Sequence, residues 1–122
     1  VIGNQRFFYS IASGESKLME AESSEKNCLQ IGRYNFSKTA FEWAIAQCEN
    51  ALKKPQELFI IDEIGPLELR NEGFYNLLTE VLTNKYAIEK LVLVVRTSAV
   101  DLVLQHFNID PSQVLRWKNT QP

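Results

Sequence analysis

The sequence is poor in the residues that most often announce a function. It has two cysteines, one histidine and one methionine in 122 residues. Two cysteines make no disulfide framework, and Cys28 and Cys48 lack the paired spacing of a zinc site. Cys48 falls on the apolar side of an expected helix, where a thiol acts as a small hydrophobe, so a reducing cytoplasm is the expected setting. Thirteen Lys and Arg against fifteen Asp and Glu leave a formal net charge of -2. Only Lys53 and Lys54 are adjacent cations, so there is no basic stripe, and neither nucleic acid nor an anionic membrane is an expected partner. Long apolar runs are missing too. The longest aliphatic stretch, Leu91 to Val95, has strand length, which excludes a transmembrane helix. The opening "VIGNQRFFYS" lacks the basic and apolar regions of a signal peptide and does not begin with Met.

What is present suits one ordinary globular domain over residues 1–122, with 45% hydrophobic and 23% charged residues. Residues 1–36 read as a β-rich hairpin region: "QRFFYSIA" is aromatic and β-branched, and "SGES" supplies turn chemistry. Glu20 to Asn27 reads as a polar loop, and "LQIGRYNF" as a short extended segment bent at Gly32. Residues 37–117 alternate. Phe41, Ala44, Ile45, Cys48, Ala51 and Leu52 recur at helical spacing. Ser37 is the expected N-cap, Thr39 with Glu42 offers a competing register, and Pro55 ends the helix. "LFIID" reads as a strand buried on both faces. A helix over residues 72–85, the strand "LVLVV", a helix capped by Ser98 and a last strand, Gln113 to Trp117, follow. Residues 118–122 form a polar tail.

Strands separated by helices of this length predict a parallel sheet with helices on both faces, a three-layer α/β/α sandwich. Ligands in such sheets bind beyond the carboxyl ends of the strands. That edge carries Asp62 and Glu63 after one strand and Arg96, Thr97 and Ser98 after the next. Side chains alternate along a strand, so adjacent acids at its end aim at two points of one ligand. An aliphatic strand ending in Asp is the Walker B arrangement, in which the Asp holds the magnesium of a nucleotide, usually through water. A Glu directly after it suits polarising the attacking water. Arg96 suits offsetting charge on a transferring phosphoryl group, and reads equally well as a surface cation. Taken alone the pair also fits a merely solvated strand end. His106, the single histidine, is read as a helix C-terminal residue favoured by the dipole rather than a general base. Gly65-Pro66 reads as a turn, and Trp43, Trp117 and the aromatic run from Phe7 as packing.

The longer string "IIDEIGPLELRNEGF" resembles the signature segment of the small nucleoside-triphosphatase family that includes the cancer-related nucleoside-triphosphatase of vertebrates and the thermostable NTPase type. Asp62-Glu63-Ile64-Gly65 and Glu68-Leu69 match, with Pro66-Leu67 between them. "IGRYNFSKTAFEWA", "LVLVVRTSAVDLVLQHFNI" and "RFFYSIASGES" are similar to further segments of that family, so the resemblance covers nearly the whole chain.

The resemblance implies a P-loop NTPase-like α/β fold and magnesium-dependent hydrolysis of nucleoside triphosphates to the diphosphate and phosphate. It implies Asp62 as the magnesium-side acid and Glu63 as the water-activating one. Glu68 would support the loop or the metal shell, and Arg96 would be a phosphate contact. The sequence departs from the family at one point: GxxxxGK followed by Ser or Thr, whose amides and Lys grip the phosphates, is absent, and "SGESK" has neither the spacing nor the second Gly. The expectation is therefore the C-terminal portion of a longer protein, without its first P-loop strand, with little turnover alone and with exposed sheet edges that favour self-association. The alternative is a degenerate relative that serves as a non-catalytic binding or scaffold module.

Overall fold

The computed structural model describes residues 5–22, 26 and 28–117. The polar tail, residues 118–122, and much of the loop expected over 20–27 lie outside the described residues.

The amino-terminal third folds as two antiparallel hairpins. Strands β1 (Phe7–Tyr9) and β2 (Ser16–Leu18) pair across a turn closed by Ser10 and Glu15, with Gly14 at φ +76°. Strands β3 (Cys28–Ile31) and β4 (Tyr34–Ser37) pair around Gly32-Arg33, so the bend expected at Gly32 is a full hairpin turn, with Gly32 at φ +56°. A single bridge between Glu20 and Phe36, flanked by Ser37 N–H donating to the Met19 carbonyl, lays the first hairpin beside the second. Phe8, Met19, Leu29, Ile31 and Phe36 form one apolar layer against Phe41, Leu67 and Phe74.

Helix α1 (Lys38–Ala51) starts directly after β4, and Ser37 is its cap: the hydroxyl accepts from Ala40 N–H at 3.1 Å. That bond satisfies one of the four N–H groups a helix start leaves open, and it decides against the Thr39 register. The helix stops where Lys53, Lys54 and Pro55 offer no further apolar face, with Leu52 buried as its C-cap.

Two parallel strands carry the rest. Strand β5 (Gln56–Ile64) pairs with β6 (Ile88–Val95), and the crossover between them contains α2 (Pro66–Leu69) and α3 (Tyr75–Leu82). After β6 come a 3-10 turn, Thr97–Ala99, and α4 (Val100–His106). Helices α1, α3 and α4 cover one face of the pair, meeting Phe59, Ile61, Ile64, Leu91, Leu93 and Val95 through Leu52, Leu77, Leu78, Val81 and Val103. Leu77 and Leu78 are the best-buried side chains of that layer.

Among the described residues nothing covers the opposite face. Leu58 and Ile60 of β5 and Val92 and Val94 of β6 are between 40% and 54% exposed. The strands are aliphatic on both faces, as the sequence implied, yet among the described residues only one face has helices on it. The observed architecture is thus α/β with a small parallel sheet. Three local expectations are corrected. The helix over 72–85 begins only at Tyr75, because Asn71 and Gly73 both take left-handed backbone that no helix accepts. Ser98 lies inside the 3-10 turn and caps nothing. Gln113 to Trp117 is not a strand. Val114 has strand dihedrals, φ -112° and ψ 128°, but no strand among the described residues completes a ladder with it, and Leu115 and Trp117 are almost fully exposed.

Candidate functional site

The carboxyl end of β5 is shaped by an irregularity. Ile61 pairs with Leu93 and Ile64 with Val95, so two residues of β5, Asp62 and Glu63, stand opposite the single Val94. The extra residue is absorbed at Glu63, which has φ +59°. Left-handed backbone costs a residue with a Cβ roughly 1–2 kcal/mol. Among the described residues every other positive φ belongs to Asn or Gly, the types that tolerate it. What the bulge achieves is plain from its flanks. Ile64 returns to the core at 2% exposure, and both acids are left in solvent near the carboxyl end of the strand. Neither carboxylate has a hydrogen bond or ion pair with a described residue.

Pro66 then ends the strand, since it has no N–H to continue a ladder, and opens α2 at its first position, where none is needed. The segment that follows is closed by Glu68. Its carboxylate is buried, at 3% exposure, and each oxygen accepts one backbone N–H: Oε1 from Gly65 at 2.9 Å and Oε2 from Phe74 at 3.0 Å. Both oxygens are thus committed to the backbone. Gly73, at φ +62°, sits directly against this carboxylate; a Cβ there would collide with Glu68 Oε2 and lie 3.0 Å from Leu67 Cβ.

The same loop is tied outward at two more points. Arg70 Nη2 donates to the Gln30 carbonyl of β3 at 2.5 Å and its Nε to Glu72 Oε1 at 2.9 Å. His106, at the end of α4, lies with Nε2 2.7 Å from Asn71 Oδ1, the ring nitrogen donating. Gly73, Arg70 and Asn71 were not among the residues that the sequence singled out. Their signal was the cluster Arg-Asn-Glu-Gly, turn chemistry at the start of the helix expected over 72–85.

Arg96 follows Val95, the partner of Ile64, and is therefore on the same edge as the acids. It is exposed, and its guanidinium has no hydrogen bond or ion pair with a described residue, while its carbonyl accepts from Ala99 N–H at 2.8 Å. The geometry brings Asp62, Glu63 and Arg96 to one edge, and assigns Glu68 to the loop behind it. Among the described residues no three His, Cys, Asp or Glu side chains converge as a metal cage. An open depression lined by Pro55, Gln56, Glu57, Ala87, Ile88 and Glu89 lies at the opposite, amino edge of the strands and adds nothing to this site.

The sequence profile of the family described as NTPase matches residues 4–116, almost the entire chain. The chain belongs to this NTPase family. A curated relative, the nucleoside-triphosphatase THEP1 of Caldivirga maquilingensis, is 22% identical over 79 residues, 65% of this chain and 41% of the relative. The chain thus spans about two fifths of the length of the curated relative it matches. No solved structure matches it. The acids of β5 and Arg96 both lie within the span that this NTPase profile covers.

Proposed function

We propose that the strand end of β5 is the magnesium-side half of a site that hydrolyses nucleoside triphosphates to the diphosphate and phosphate. In this reading Asp62 holds the ion through water, Glu63 polarises the attacking water, and Arg96 contacts phosphate. Glu68 acts behind them, keeping the loop in shape. The observation that carries the reading is Glu63 itself: an acid with no partner among the described residues, held at φ +59° where the other described positive-φ positions are Asn or Gly, next to an Asp62 that likewise has no described partner. Strain kept at such a position suits a site residue better than a solvated strand end.

A magnesium ion takes one or two carboxylates plus waters and substrate phosphates, rather than an all-protein cage. One hard, unpartnered carboxylate at Asp62 fits that demand. When bound, the ion would neutralise charge on the phosphates; the chain's own part is to present Asp62, to orient water at Glu63, and to offer Arg96 as a cation. A loop of the GxxxxGK type, which would give the main grip on the phosphates, does not occur in these 122 residues. Turnover by this chain alone is therefore expected to be slight.

The bare face of β5 and β6 supports the remaining parts of the proposal. Aliphatic residues on both faces of a parallel strand suit a three-layer sandwich, and on its own the chain has apolar surface and free strand edges that favour self-association. No helix among the described residues is long and apolar enough to cross a membrane. The sparse cysteines accord with a cytoplasmic setting. The second reading, a non-catalytic binding module, is favoured by the missing phosphate loop. Nucleotide hydrolysis by the native gene product, with and without Mg2+, decides between them. Asp62→Asn is expected to abolish the magnesium-dependent rate; no hydrolysis by the parent protein either with or without the ion would leave the module reading.

A further inference from the structure

Three of the chain's five arginines, Arg6, Arg33 and Arg70, lie on or against the two hairpins. Arg70 is engaged with the Gln30 carbonyl and Glu72. Arg6 and Arg33 instead converge on one side chain, Tyr34 of β4. The guanidinium carbon of Arg6 lies 4.9 Å from the Tyr34 ring centroid and that of Arg33 5.2 Å. Arg33 Nη2 also donates to the Tyr34 hydroxyl at 3.2 Å. The ring is anchored from the core side, stacked on buried Phe36 with centroids 6.1 Å apart and planes 15° off parallel.

The charges there do not balance. Arg6 has an acid: its N–H donates to both Glu20 oxygens, at 3.1 and 3.0 Å, and its Nη1 lies 3.4 Å from Oε1. Among the described residues Arg33 has none. It is exposed, and the one side-chain hydrogen bond it makes to a described residue uses one of its five donors and goes to the Tyr34 hydroxyl. The cations hold the Tyr34 phenol below its ordinary range, Arg33 contributing most and Arg6 next.

We propose that Arg33, Arg6 and Tyr34 form a binding site for a phosphate oxyanion at the tip of the β3–β4 hairpin. A guanidinium fork matches two phosphate oxygens in one plane, and a second cation and a hydroxyl complete a three-sided cradle. Tyr34 can keep the Arg33 donor on its oxygen while turning its own proton toward the anion. Prior stacking of Arg33 on the anchored ring reduces the side-chain entropy lost on binding. The oxyanion is the free ion or a nucleotide phosphate, since both present the same group. The inference uses neither acid of the β5 strand end and stands apart from the hydrolysis proposed there.

The test is an NMR titration of the labelled chain at constant ionic strength, observing the Arg33 and Arg6 Nε–H signals and the Tyr34 ring. Inorganic phosphate is added in one arm and ATP without magnesium in the other. Saturable shifts of these groups in both arms, weakened roughly tenfold by Arg33→Ala, are the expected result. Saturation by ATP only also supports the site and assigns it to nucleotide phosphates. Arg33→Ala removes an exposed side chain and Tyr34→Phe only a hydroxyl, so either variant retains the fold for comparison. Shifts that stay linear with concentration, or that persist unchanged in both variants, would overturn the proposal.

Discussion

Glu68 and Gly73 share one volume: the Glu68 carboxylate fills the space that a Cβ on residue 73 would need. The loop behind the acid pair is built on that relationship. A buried carboxylate without a cation is costly unless hydrogen bonds replace its water, and here Gly65 and Phe74 supply one each. Only glycine lets the backbone come close enough while also taking φ +62°.

Gly73→Ala is therefore expected to destabilise the chain by about 2–4 kcal/mol, from left-handed strain plus displacement of Glu68. Gly32 provides the comparison. It also has positive φ, but a Cβ there meets nothing within 4 Å, so Gly32→Ala should cost only about 1–2 kcal/mol. Urea unfolding of the two variants measures the difference; equal losses would show that the carboxylate does not occupy the space.

Glu68→Ala leaves two half-buried N–H groups without acceptors and should cost about 2–5 kcal/mol, counting each unsatisfied group. Glu68→Gln keeps one carbonyl acceptor and should cost roughly half as much. Denaturation midpoints of both variants check the order. A neutral result for Glu68→Ala would remove Glu68 from the loop's support.

Much of this was legible in the sequence, and the limits have physical causes. Strand β5, the Ser37 cap and the position of the acids followed from apolar spacing and side-chain chemistry, which act locally. The bulge did not, because nothing in "IIDEIG" distinguishes a Glu at φ +59° from one in a regular strand; burial of Ile64 imposes it. The contact of Glu68 with Gly73 arises only when the loop closes. Gln113 to Trp117 misled for the converse reason. Its local preference is extended, as Val114 is, but a strand also requires a partner.

Glu63→Gly should stabilise the fold by roughly 0.5–1 kcal/mol, as relief of left-handed strain outweighs the added chain entropy. The same change removes the carboxylate proposed to act on water. Thermal unfolding run beside an activity assay checks both; a loss of stability would mean that the Glu63 backbone is not strained.

Tyr34 ionises below ordinary tyrosine because Arg33, and then Arg6, favour the phenolate. Removing the larger contribution with Arg33→Ala should move its titration upward in pH. Ultraviolet difference titration against Tyr34→Phe isolates this phenol from the other three tyrosines. A titration that does not move would separate Arg33 from the hydroxyl.

The central claim is tested most directly by Glu63→Gln in the native gene product, with magnesium-dependent ATP hydrolysis and ATP binding measured together. The expected result is hydrolysis reduced by about 100-fold or more with binding retained, since the amide keeps the size of the acid and loses its basicity. Hydrolysis at the full parental rate would contradict the role given to Glu63, and with it the reading of the β5 strand end as a catalytic edge.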